Sequence, residues 1–196
     1  CYGSVVATPE KLQELVDVAR RVEERIGRKL DIVSGGASSS YMRVLDGNIP
    51  EGINNLRIGE EILLPQDLLY LYGYPLNGMY DDVFTLESQV IEVRDKPSYP
   101  VGELGVDAFG HKPVYIDKGI RRKVLLAMGH LDYCDYKDLI PQDKDVEILG
   151  CSSDHTIMDV TDAPRTYHVG DIVKFNLIYG TNLFLCHSQN VQKVFI

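Results

Sequence analysis

No run of the 196 residues approaches the roughly 20 consecutive apolar positions of a membrane span, and the start lacks the basic-then-apolar pattern of a secretory leader. Basic charge is also scarce. Twenty Lys and Arg stand against 29 Asp and Glu, for a formal net charge of −9, and the longest basic run is the triplet Arg121 to Lys123, read as a solvated strand face. Nucleic-acid and anionic-membrane surfaces need a basic patch, so neither partner is expected. The four cysteines (Cys1, Cys134, Cys151, Cys186) form no CxxC and no paired spacing. They read as reduced thiols of a cytoplasmic protein, with no metal site. The GxSxG turn is absent, which removes a hydrolase reading of Ser, His and Asp. There is no internal repeat, no low-complexity segment and no initiator methionine. The chain opens at Cys1-Tyr2-Gly3, at what reads as a strand end, as expected of a fragment.

What is present is an ordinary globular composition, 44% hydrophobic and 25% charged, enough for one or two domains. The pattern divides it into two. Thr8-Pro9-Glu10 is a helix start, with a hydroxyl cap, a proline where the missing N–H costs nothing, and an early acid. Leu12, Leu15, Val16, Ala19, Val22 and Ile26 then recur at helical spacing up to Gly27, predicting one buried face. Leu30 to Val33 reads as a buried strand, Ser38 to Leu45 as a short helix and Ile53 to Ile58 as the next strand. This is the rhythm of a parallel α/β sheet or barrel, in too few units to close. Residues 1–78 are therefore expected to form a partial (β/α) barrel. From about Met79 the texture is β-rich, with segments at Gln89–Arg94, Val114–Asp117, Arg121–Met128, Val146–Leu149, Thr156–Val160, Ile172–Ile178 and Val191–Phe195. Residues 79–196 are expected to form a C-terminal β barrel or sandwich, with Leu71 to Tyr80 as the junction.

The chemistry concentrates between Asp31 and Leu64. Ser34-Gly35-Gly36-Ala37-Ser38-Ser39-Ser40 follows the first strand, and a Gly/Ser run at a strand end lets backbone N–H groups approach an anion such as phosphate. The competing reading is a plain turn. Leu56-Arg57-Ile58-Gly59 would bring one guanidinium and another glycine to the same end if the strands are parallel neighbours.

These residues, with Gly150-Cys151-Ser152-Ser153-Asp154-His155, Asp159-Val160-Thr161-Asp162 and Tyr179-Gly180, carry a resemblance to the alanine racemase family, most closely its ornithine racemase-like branch. The resemblance covers essentially the whole chain and corresponds to the later barrel and the C-terminal β domain. It implies pyridoxal 5′-phosphate as cofactor, an amino-acid substrate, and a head-to-tail dimer or a separate N-terminal barrel half as partner. The strand with the Schiff-base lysine lies outside the matched part, so the segment is expected to be inactive alone. Residue by residue, the resemblance assigns Ser38 and Ser39, with the backbone at Gly59 and Glu60, to the cofactor phosphate. It sets Arg57 against the pyridine nitrogen and Tyr179 near the phosphate. It brings Asp154, with Ser153 and His155, to the substrate, where a distal ammonium group could pair with them. Each has a structural alternative: a strand-end ion pair for Arg57, a core tyrosine for Tyr179, a tight turn for Asp154.

Two departures stand out. Where the family carries Gly-Tyr-Ala-Asp, with the tyrosine as second acid/base, this chain has Gly129-His130-Leu131-Asp132, making His130 either the substitute or a surface histidine. Pro65-Gln66 stands where a glycine is expected. The alternative function is a non-catalytic dimerisation or ligand-binding module.

Overall fold

The computed structural model describes residues 5–106, 110, 112 and 114–195, so the expectation for Cys1-Tyr2-Gly3 lies outside the described residues. The chain forms two compact units, Cys1–Tyr80 and Asp81–Ile196.

In the first unit, helix α1 (Pro9–Ile26) starts on Thr8, whose hydroxyl accepts from the Lys11 amide, and ends on Gly27 at φ +69°, a left-handed cap that a Cβ would strain. Only Leu12, Val16 and Ala19 of its apolar positions are buried. Leu15, Val22 and Ile26 are exposed, because the neighbours in this unit cover one narrow stripe of the helix. Val16 sits against the Gly52 turn, where an added Cβ would come within 2.9 Å of its Cγ1.

Strand β1 (Ser34–Ala37) pairs in parallel with β2 (Asn55–Arg57), in the register Ser34 to Asn55 and Ala37 to Arg57. The strand expected at Leu30–Val33 has therefore moved into the Gly/Ser run. Gly35 explains the shift: a Cβ there would meet Ile53 Cγ2 at 2.8 Å and Leu56 Cδ2 at 3.2 Å, so only a bare backbone fits under the second strand. Asn54 fastens the entry to the pair, accepting from the Val33 amide and donating to the Asp31 carbonyl. A 3₁₀ turn at Ser38–Ser40 leads into helix α2 (Tyr41–Leu45), and two short helices follow, α3 (Glu60–Leu63) and α4 (Gln66–Tyr70). Strand, helix and parallel strand in this order form the expected partial (β/α) layer.

The second unit is one curled six-stranded antiparallel sheet in the order β5-β8-β3-β4-β7-β6, rather than a closed barrel or a two-sheet sandwich. Its strands are β3 (Thr85–Pro97), β4 (Ile120–Leu126), β5 (Ile140–Pro141), β6 (Glu147–Cys151), β7 (Thr156–Asp159) and β8 (Ile172–Asn176). Leu86 and Val90 of β3, Val124 and Leu126 of β4, Met158 of β7, and Val173 and Phe175 of β8 are buried. They alternate with outward polar residues, so the sheet has one apolar face. Helix α5 (His130–Tyr133) and a 3₁₀ turn at Tyr136–Asp138 follow β4, and α6 (Tyr179–His187) follows β8 and packs against α5.

Two expected strands are absent. Val114–Asp117 belongs to the long connection between β3 and β4, and Val191–Phe195 is an exposed extended tail without a strand partner among the described residues. The basic triplet differs too. Arg121 is largely buried in an ion pair with Asp159, while Arg122 pairs with Asp95 and Lys123 reaches the Pro97 carbonyl. No helix among the described residues is long and apolar enough to cross a membrane.

Candidate functional site

The parallel register ends β1 and β2 together, so Ser38 and Ser39 follow one strand and Gly59 and Glu60 the other at a single sheet edge. Ser38 is buried and Ser39 half-buried. The turn is held by a residue the sequence reading did not single out: Ser40 donates to the Gly35 carbonyl at 2.8 Å, and its Oγ occupies the space a Cβ on Gly36 would need. Gly36 lies at φ +116°, so the loop requires glycine there for both reasons. Arg57 is exposed and reaches across β1 to donate from Nη1 to Ser34 Oγ, not to Ser38. Gly59 caps α3, where its carbonyl accepts from Ile62 at 3.2 Å and Leu63 at 3.3 Å.

This donor set of hydroxyls, a guanidinium and helix-start amides matches the needs of a phosphate monoester. The acids of α3 lie close by. The Glu60 carboxyl is hydrogen-bonded to Asp67, and burial with the neighbouring Asp67 and Glu61 charges pushes it up to about 7. Glu61, 2% exposed, is likewise pushed up to about 7, by burial first and then by Asp67. A protonated Glu60 leaves its own amide usable by an anion. Both groups sit above the 4.5 of an unfolded chain, so the folded state holds more protons between the two values. Stability is then complete below pH 4.5 and falls as pH rises toward 7. In urea titrations at pH 5 and pH 8, the first unit should lose about 2 kcal/mol from Glu61 alone, and Glu61→Gln should flatten that slope. An unchanged midpoint between the two pH values would contradict it.

In the second unit, the structure brings His130 and the Ser153–His155 turn together. The His130 amide donates to the Ser152 carbonyl at 2.9 Å and the Leu131 amide to the Ser153 carbonyl at 3.1 Å. Ser152 closes the β6–β7 turn by accepting at Oγ from the His155 amide at 3.1 Å, leaving Ser153, Asp154 and His155 exposed at its tip. Gly129 makes the approach possible: a Cβ there would fall 2.3 Å from the Ser153 oxygen and 2.4 Å from the Asp154 nitrogen. Asp132, buried, accepts from the Gly129 amide and from Ser188 Oγ, tying the start of α5 to the end of α6. Tyr179 stands at the other end of α6, about 13 Å along the axis from Ser188.

Beneath these loops Tyr133, fully buried, meets Thr156 Oγ1 at 2.6 Å, and Thr156 donates to the Met128 carbonyl. Thr156 has one proton to give, so Tyr133 is the donor in that contact, and burial raises its hydroxyl and keeps it protonated. Cys134, next in the chain, takes φ +75° in a γ-turn closed by the Asp135 amide and the Tyr133 carbonyl, so backbone strain is held beside His130. Hollows elsewhere in the chain lie at the C-terminal end of α1, around Glu23 and Arg28, and beside Tyr136, Val146 and Ile148. None of the expected site residues lines them.

No family model matches the chain. It is 47% identical over 193 residues to ornithine racemase of Acetoanaerobium sticklandii, a match covering 98% of this chain and 54% of that protein. With lysine racemase of Thermotoga maritima it shares 41% identity over 195 residues, covering 100% of this chain and 54% of that protein. The chain belongs to this family of racemases. It spans about half the length of the curated relatives it matches. Among solved structures, the biosynthetic alanine racemase of Pseudomonas aeruginosa aligns over 89% of this chain and 44% of its own, with TM-score 0.51 and 19% identity, a likeness of fold alone. The resemblance drawn from the Gly/Ser run, Arg57 and the Ser153-Asp154-His155 turn to the ornithine racemase-like branch is thus borne out.

Proposed function

We propose that this chain is the C-terminal portion of a pyridoxal phosphate-dependent amino-acid racemase acting on ornithine or a similar diamino acid, as a dimer in the cytoplasm, and inactive without the rest of the barrel. The observation that carries the reading is the 47% identity to an ornithine racemase across 98% of the chain. The donors gathered at the shared end of β1 and β2 support it chemically.

Pyridoxal phosphate, when bound, supplies the electron sink that acidifies the α-C–H bond of an amino acid. The rest is the work of side chains and amides. Ser38 and Ser39, with the Gly59 and Glu60 backbone, hold the phosphate. Arg57 presents N–H groups to the ring nitrogen. A guanidinium stays protonated and can only donate, so it keeps that nitrogen free of a proton and confines the chemistry to proton removal and return. Ser34 fixes the guanidinium from behind, which limits the angles it can take. His130, on a loop clamped to the Asp154 turn, is placed as the second proton carrier opposite the lysine. Tyr179 serves the phosphate. The exposed Asp154, with Ser153 and His155, offers acceptors to a distal ammonium group.

The test is a chimera in which this chain replaces the matching stretch of the A. sticklandii ornithine racemase, assayed with L-ornithine and L-lysine by chiral chromatography. The chimera should racemise ornithine, Arg57→Leu should lower its kcat by at least about tenfold, and the 196-residue chain alone should show no turnover. Turnover by the chain alone would refute its dependence on the missing part. A folded chimera without turnover on either amino acid would overturn the racemase reading.

A further inference from the structure

Helices α3 and α4 invert the ordinary order of burial. Glu61 and Asp67 are each 2% exposed, while Ile62, Leu63 and Leu69 on the same two helices are 62%, 52% and 44% exposed. Acids are rarely buried unless paired, and adjoining exposed aliphatic side chains mark a surface that something covers. Glu61 Oε2 has no hydrogen-bond partner in its buried position. The groups that face it are equally unhelpful. Asp67 on α4 acts directly on Glu61, Glu60 on α3 shares a hydrogen bond with Asp67, and Tyr72, just beyond α4, feels all three acids. None of these groups is positive. A buried carboxylate without a counter-charge is among the costlier features a fold can carry, and a single cation placed there would satisfy it. Among the described residues no three His, Cys, Asp or Glu side chains converge as metal ligands, so the geometry favours an organic cation held by a few hydrogen bonds. The exposed aliphatic rim points the same way, because a polypeptide can bring a cation and its own apolar cover together, whereas a free ion cannot.

We propose that the α3–α4 surface docks a polypeptide segment that inserts one Lys or Arg side chain among Glu60, Glu61 and Asp67 and covers Ile62, Leu63 and Leu69 with apolar side chains. Charge complementarity identifies the segment's chemistry. Its source, resting on the racemase reading, is the part of the relatives' length that this chain does not span, since they are nearly twice as long.

The experiment mixes the full 196-residue chain with a second polypeptide, the part of the A. sticklandii ornithine racemase that the chain does not match, and measures affinity by calorimetry at pH 6, 7 and 8. Glu61→Gln and Glu24→Gln are run beside it, Glu24 being a solvent-exposed control on α1. The wild-type chain should bind more tightly as pH rises and Glu61 becomes a carboxylate. Glu61→Gln should bind at least about tenfold more weakly at pH 8 and lose most of that pH dependence. Glu24→Gln should bind like the wild type. The amide is nearly isosteric, and urea titration checks that each variant is folded. Three results would overturn the proposal: equal affinity of Glu61→Gln and wild type, an equal loss in Glu24→Gln, or no association of the wild-type chain. The chimera answers separately for the racemase reading, so ornithine turnover there beside unchanged binding of Glu61→Gln would remove the docking site and leave the activity standing.

Discussion

Gly129→Ala should unfold the junction between the His130 loop and the Ser153–His155 turn, costing the second unit about 3 kcal/mol and abolishing racemisation in the chimera. The added methyl would be 2.3 Å from the Ser153 oxygen and 2.4 Å from the Asp154 nitrogen, well inside any real carbon contact. Both obstacles are backbone, and no flexible side chain can swing aside. Relief must come from moving one loop off the other, which breaks the amide bonds from His130 and Leu131 to the turn's carbonyls. Gly180→Ala is the internal comparison. It makes the same chemical change inside α6, where the new methyl meets only Asp138 Oδ2 at 3.8 Å. A helical alanine there should be neutral or stabilising by about 0.5–1 kcal/mol. Urea midpoints of the two variants measure the difference. Equal midpoints would mean that the loop pair carries little of the unit's stability.

Sequence periodicity was enough for α1 and for most of the sheet, and it failed where geometry rather than pattern decides. The Thr8-Pro9 start and the Gly27 end of α1 are local chemistry, and both are found in place. Its exposed stripe could not be foreseen, because spacing shows that a face is apolar and not whether a neighbour covers it. The Gly/Ser run read as a loop because glycine and serine are poor strand formers. It is a strand because Gly35 alone lets Ile53 and Leu56 lie over it, a fact about the second strand rather than the first. Helix α6 escaped notice because its buried residues, Thr181 and Leu185, make a stripe only two positions long behind an early glycine.

The candidate site divides in the same way. Ser38, Arg57 and Gly59 were legible as residue types at strand ends. That Ser40 locks the loop and Ser34 holds Arg57 depends on side-chain directions that no spacing reveals. Gly129 was visible only as part of a tetrapeptide, while its role lies in a contact with residues 24 and 25 positions further on.

Arg121→Leu should cost the second unit about 3 kcal/mol at pH 7, although the sequence placed that arginine in a solvated triplet. Its Nε donates to Asp159 Oδ2 at 2.8 Å and its guanidinium also holds Asp162, while Asp159 is 3% exposed. Burial by itself would raise the Asp159 carboxyl. The hydrogen bonds from Arg121 and from the Thr161 hydroxyl and amide outweigh burial and hold it below the usual carboxylate value. In the wild-type chain Asp159 therefore contributes stability above its unfolded value of 3.8, and loses it as pH falls through the lower folded value. Leucine reverses the sign. With only Thr161 left to serve it, the buried carboxyl prefers its proton, and the variant should lose stability as pH rises from 4 to 7. The gap between variant and wild type should then be smallest near pH 4, and Asp159→Asn in the Arg121→Leu background should recover part of the loss at pH 7. Urea titrations of the three proteins at both pH values read this directly. A gap that stays constant from pH 4 to 7 would mean that Arg121 acts through the packing of its aliphatic stem, with no part played by its charge.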